Sequence, residues 1–150
     1  MKLLHSLVSI GLVTTASLAS AADGLVEVKS PYQSTETMNR LEAVVRQRGL
    51  TVFARIDHAA GAAKVGKTLR ATELLIFGSP QGGTPFMECA QTAGIDLPLK
   101  ALVWEDAASQ VWLGYYDPGF LAKRHGAAAC PAVEGLRKAL AGLGDAAVGR

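Results

Sequence analysis

Residues 72–85 read Thr72-Glu73-Leu74-Leu75-Ile76-Phe77-Gly78-Ser79-Pro80-Gln81-Gly82-Gly83-Thr84-Pro85. Four consecutive apolar residues, Leu74 to Phe77, predict a buried strand, because turn residues bound the run and it is too short for a helix. The run leads into a glycine-rich loop, Gly78 to Gly83. Thr84 then offers a side-chain oxygen to the free N–H groups of a helix start, and Pro85 suits the first helical position. The expected helix runs from Pro85 to Ala93, with Phe86, Met87 and Ala90 inward and Gly94 ending it. A strand–loop–helix junction of this kind is the first place to look for a ligand.

Upstream, Val26 and Val28 alternate with Glu27 and Lys29, which predicts a half-buried strand over Leu25–Lys29. Met38, Leu41, Val44 and Val45 recur at helical spacing between about residues 35 and 48, and Gly49 ends that helix. Leu50 to Asp57 alternates strictly, placing Leu50, Val52, Ala54 and Ile56 on one face and Thr51, Phe53, Arg55 and Asp57 on the other. Asp57 caps a short helix of small residues, Ala59 to Val65.

Downstream, Leu99 to Trp104 and Gln110 to Tyr116 are strands joined by the polar hairpin Glu105–Ser109. Both carry apolar or aromatic groups on both faces, so one face is expected against helices and the other against a further covering, such as a second subunit. Asp117-Pro118 starts a short helix that Gly126 stops. Pro131 begins the last helix, with Val133, Leu136 and Leu140 on one face, and the small-residue tail from Gly144 is expected to fray. The order β-α-β-α-β-α-β-β-α-α predicts an α+β domain, a single mixed or antiparallel sheet of about five strands with helices mainly on one face.

The blocks Ile56-Asp57-His58-Ala59-Ala60, Thr72 to Pro80, Gly83 to Met87, Leu97 to Glu105 and Val111 to Pro118 resemble the domain of unknown function 302 family. They keep the family's order and span about residues 40 to 125. The resemblance implies a compact α+β fold and a tendency to dimerise, and it implies no catalytic activity. The family more often has Asn where this chain has Ser79, which weakens a specific ligand contact from that side chain.

The amino terminus reads as a signal peptide over residues 1–21. Met1-Lys2 is followed by an apolar run from Leu3 to Leu18 and a small-x-small pattern, Ala19-Ser20-Ala21, with Ser20-Ala21-Ala22 as a competing register. The run is shorter than the ~20 residues a spanning helix needs. The expectation is therefore a periplasmic or secreted protein, a single domain over 22–150, and no membrane span after cleavage. Without Lys2 the chain carries 14 basic against 13 acidic residues. Charges this mixed, with no basic run, speak against nucleic acid as a partner.

Export makes a Cys89–Cys130 disulfide feasible. The alternative is a pair of buried thiols, which the apolar neighbours of Cys89 favour. Two cysteines without CxxC spacing make no zinc or redox motif, and His58 and His125, the two histidines outside the expected signal segment that holds His5, lie far apart and make a weak metal signal, so no metal is assigned and the cofactor is unknown. His58, beside Asp57, could serve as an acid/base or ligand group, or simply fill the first turn that Asp57 caps. His125 suits a helix C-terminus. The loop matches neither the P-loop nor GxGxxG. With no complete catalytic constellation, the assigned catalytic set is empty, and His58, Gly78, Ser79, Gly83 and Thr84 are the ligand-binding candidates.

Three functions fit these residues. The favoured one is an exported accessory module that binds a small ligand or a periplasmic protein. The second is a hydrolase-like or other enzyme using His58 as acid/base near the loop. The third is a structural homodimer formed by the aromatic strands.

Overall fold

The sheet is built from β1 (Leu25–Ser30), β2 (Thr51–Asp57), β3 (Thr72–Gly78), β4 (Leu99–Glu105) and β5 (Val111–Tyr116). In space the five strands run β1-β5-β4-β3-β2. Every neighbouring pair is antiparallel. This computed structural model describes residues 23–150; the expected signal peptide lies outside the described residues. The helices are α1 (Ser34–Gln47), α2 (His58–Lys64), α3 (Pro80–Cys89), α4 (Pro118–Arg124) and α5 (Ala132–Val148), with a short 3-10 turn over Gln91–Ile95. The α+β class, the single sheet and the element order are as the sequence predicts.

Two clusters of buried side chains hold the fold. In the first, Met38, Leu41 and Val45 of α1 and Leu140, Leu143 and Ala147 of α5 pack on the inner face of the sheet. Leu75, Phe77, Val103 and Leu113 supply that face and are almost fully buried. The second cluster joins Phe86 of α3, Ala93, Leu121 and Ala122 of α4, and Val133 and Leu136 of α5. Leu99 packs against both clusters. At ~1.5–3 kcal/mol for each large side chain removed from water, these clusters are the main favourable term in folding.

The outer face of the sheet carries Ile56, Leu74, Leu102, Trp104 and Trp112 by register. Trp104 and Trp112 stack there with ring centroids 6.4 Å apart. Trp104 lies over Gly114, where a Cβ would meet its ring at 2.8 Å. Glycine at this position is a condition of the aromatic packing.

Four expectations need correction. The third helix starts at Ser79-Pro80, not Thr84-Pro85, so Gly82 and Gly83 are helical. Both pairs offer a cap followed by proline. The first wins because β3 ends at Gly78, and Ser79 takes up N–H groups that a loop would leave unpaired. Its carbonyl accepts from Gly82 N at 3.2 Å and Gly83 N at 3.0 Å, and its Oγ accepts from Gly82 N at 3.3 Å. Pro85 falls inside the helix, where it cannot donate to the Gln81 carbonyl. The helix ends at Cys89, and the residues expected to complete it form the 3-10 turn.

The strict alternation of the second strand also fails. The pairing Val52↔Phe77 is followed by Ala54↔Ile76, so Phe53 is an extra residue in a bulge. A bulge shifts every later side chain to the opposite face. Val52 and Arg55 thus share the helix-covered face, and Ala54 and Ile56 the outer one. The expected Leu50–Val52–Ala54–Ile56 stripe is split.

The last helix does not fray at Gly144. It continues to Val148, and Gly144, Ala147 and Val148 are buried. A side chain at Gly144 would crowd Tyr115, whose Cε1 lies 3.3 Å from its Cβ position. The small tail residues are the helix's contact face on the sheet.

Cys89 and Cys130 are joined in a disulfide, with Cα atoms 5.9 Å apart. The buried-thiol preference was wrong because Cys89 lies on an exposed part of α3, next to the turn that precedes α5. Asp117 ties α4 to α5. Its Oδ1 accepts from Phe120 N at 3.0 Å and from Arg137 Nη2 at 3.2 Å, and its Oδ2 accepts from Arg137 Nε at 2.9 Å.

Candidate functional site

A cleft of about 400 Å³ opens where the two clusters meet. The end of β3 supplies Gly78, and α3 supplies Ser79 at its cap, then Gly82, Gly83, Thr84 and Met87. Leu97 and Leu99 form the wall at the start of β4. From α5 come Leu136, Ala139 and Leu143. Leu50 and Phe53 close the remaining side. The β2 bulge places Phe53 here, and it remains 56% exposed. None of the lining residues is charged.

Four of the five sequence-predicted ligand candidates, Gly78, Ser79, Gly83 and Thr84, line this cleft. They do so as the strand end and first turns of a helix, not as a loop. An anion cradle does not fit that arrangement. Pro80 has no N–H, and Ser79 already occupies Gly82 N. The glycines leave a groove because they lack side chains. A Cβ at Gly83 would come 3.6 Å from Leu97 and 4.0 Å from Met87, ordinary contact distances.

His58 does not line this cleft. Thr51 pairs with Gly78 at the cleft end of β2–β3, and Asp57 pairs with Glu73 at the other end. Six residues of strand separate them, about 20 Å. Asp57 caps α2, accepting from Ala60 N at 2.8 Å. His58 is exposed at the first turn of that helix.

His125 does more than cap α4. Its side chain is 8% exposed, and its Nε2 lies 2.6 Å from Asp96 Oδ2. A carboxylate only accepts, so Nε2 carries a proton, and Nδ1 lies 3.0 Å from the Thr92 hydroxyl. Arg124 stands 3.6 Å from the other Asp96 oxygen. This chain ties the 3-10 turn to the end of α4, while Gly94 of the same turn lines the cleft. The pairing of Asp96 with His125 is 29 residues long in sequence and makes no local motif.

A second depression of about 410 Å³ lies beside Ser30, Tyr32, Gln33 and Gln110. Two of its polar groups are already engaged: Ser30 Oγ is 2.6 Å from Thr37 Oγ1, and Gln110 Nε2 donates to the Ser30 carbonyl. Among the described residues, no three His, Cys, Asp or Glu side chains gather as a metal site. No buried side-chain nitrogen or oxygen there lacks a hydrogen-bond partner.

An antiparallel sheet backed by helices, with an apolar cleft at one end, defines a small α+β domain with a candidate pocket for an uncharged group. The chain belongs to the family described as Domain of unknown function DUF302, whose sequence profile matches residues 26–143. A solved structure titled uncharacterized conserved protein DUF302, from Bacillus stearothermophilus, superposes with a TM-score of 0.76 at 21% identity, over 84% of this chain and 99% of that one. The likeness establishes the fold.

The chain is also 49% identical over 109 residues to proteins named Fluoride-specific ion channel FluC 1 from Brucella suis and Brucella abortus. The match covers 72% of this chain but only 43% and 40% of those relatives. Among the described residues no helix is long and apolar enough to cross a membrane.

Proposed function

We propose that this domain is an exported ligand-binding accessory module whose site is the cleft between α3 and α5. The observation that carries the reading is the cleft itself: about 400 Å³, with no charged residue in its walls. That volume lies within the usual ~300–1,000 Å³ range of small-molecule sites. The Cys89–Cys130 disulfide supports an oxidising compartment and agrees with the signal-peptide reading. The fluoride-channel name borne by longer relatives is compatible with an accessory role beside a membrane protein. An open five-stranded sheet backed by helices offers no pore of its own.

The test is native mass spectrometry of protein purified from the periplasm, followed by a thermal-shift screen of small ligands on wild type and Gly83→Leu. A bound mass or stabilisation in wild type, lost in the variant, is the expected result. No ligand effect that depends on Gly83 would sink the reading.

A second reading concerns the partner. The centre of the sheet's outer face is apolar and aromatic, with Glu27, Lys29 and Lys100 around it by register, and its Ile56 and Tyr116 remain exposed, which favours a homodimer formed through that face. Sedimentation velocity should detect dimer at micromolar concentration, and Leu102→Glu should abolish it. A wild-type monomer at high micromolar concentration would refute this pairing.

A further inference from the structure

We propose that the cleft takes the end of a single aliphatic chain and leaves any polar head of that molecule outside. The inference rests on the cleft being a binding site and names the class of its occupant.

The chemistry of the walls makes the choice. None of the lining residues could neutralise a charged ligand group, and burying an unpaired carboxylate or ammonium is strongly unfavourable. Nor is any buried polar side-chain atom, among the described residues, left waiting for a partner. Ser79 Oγ, one of the two hydroxyls in the lining, already accepts from Gly82 N. An uncharged apolar group thus matches the site.

Shape separates a chain from a ring system. Phe53 is the single aromatic in the lining, and it is largely exposed. Apart from the Ser79 and Thr84 hydroxyls, the remaining walls are Leu, Met, Pro, Ala and bare glycine backbone. Leu and Met side chains adapt to a flexible chain, and Met87 is the most adaptable of them. A dry cavity of ~150 Å³ accommodates one six-carbon ring. By that measure a closed cavity of about 400 Å³ would hold roughly sixteen carbons, and because this cleft is open on one side it encloses a chain of roughly a dozen.

The test uses the oxidised mature protein and a series of straight-chain alcohols from hexanol to tetradecanol, read by isothermal titration and methyl NMR. Affinity should rise about fourfold per methylene, as burial of each CH₂ dictates, and level off near a dozen carbons. Decanoate at neutral pH should bind no more tightly than decanol, and 2-naphthol less tightly. Shifts should map to Leu97, Leu136 and Leu143.

Two variants guard against misfolding. Gly83→Leu fills the cleft from inside the helix. Ala139→Trp blocks it from an exposed position on α5. Both should lose alcohol binding at least tenfold while circular dichroism is unchanged. Unaltered binding in a folded Ala139→Trp protein would overturn the proposal.

Preference for naphthol or decanoate, with cleft-mapped shifts, would overturn the aliphatic class and leave the binding module standing. Absence of cleft binding by any probe would overturn both. Incubation with vesicles containing lysophosphatidylcholine, followed by native mass spectrometry of the separated protein, identifies the source of the chain. A co-purified lysolipid mass supports a membrane acyl chain; its absence alongside alcohol binding supports a free amphiphile.

Discussion

Gly83 sits inside α3, with ordinary contact distances around the position a Cβ would take. Glycine in a helix interior is destabilising relative to alanine by roughly 0.5–1 kcal/mol. Gly83→Ala should therefore raise stability by about that amount, read as a higher urea midpoint, while narrowing the cleft. Gly114→Ala should do the reverse. Its Cβ would press on Trp104 at 2.8 Å and 3.0 Å, and overpacking of this kind costs about 1–3 kcal/mol.

Arg137 holds the Asp117 carboxyl below its ordinary value of 3.8 through direct hydrogen bonds. A lowered carboxylate stabilises the fold above its unfolded-state value, and that contribution is lost as pH falls through the lower folded-state value. Wild type should thus lose urea resistance below about pH 4, and Asp117→Asn, which keeps a capping side chain, should show a shallower acid decline. Single residues were partly legible in the sequence. Gly78, Ser79, Gly83 and Thr84 line the cleft, but the two Ser/Thr-Pro pairs are locally equivalent. Only the position of the strand end decides between them. His125 was legible as a helix C-terminal residue, but its contact with Asp96 was not, because it is made by tertiary packing, which leaves no short motif.

Among elements, α3 and α5 define the cleft, and the Cys89–Cys130 bond fixes the end of α3 to the approach to α5. The bridge spans a sequence separation of 41 residues, for which chain entropy gives about 4 kcal/mol. Cys130→Ser should lower the urea-derived stability by about that amount and weaken ligand binding through a looser α3. Intact binding in the unbridged variant would separate the disulfide from the site. Element order and type could be read from the sequence because periodicity and turn residues record them locally. The bulge at Phe53 could not, since inserting one residue changes facing without changing the apolar pattern. The tail after Gly144 misled for a related reason: small residues read as frayed when isolated and as close-packing when a sheet lies beneath them.

For the whole molecule, the antiparallel order β1-β5-β4-β3-β2 lay beyond the sequence, since no local signal places β1 beside β5. The cleft was equally illegible, being a property of how two clusters fail to merge completely. Leu99 packs against both of them, so the boundary between the clusters runs through one side chain and an unfilled space. In the empty protein, α3, the 3-10 turn and α4 should therefore open as a unit while the sheet with α1 stays closed, giving two classes of amide hydrogen exchange. A chain lodged in the gap would touch Leu97 and Leu136 on one side and Leu50 and Leu143 on the other. Occupancy would then merge the two exchange classes into one, and the protein would report its bound state through the cooperativity of its own opening.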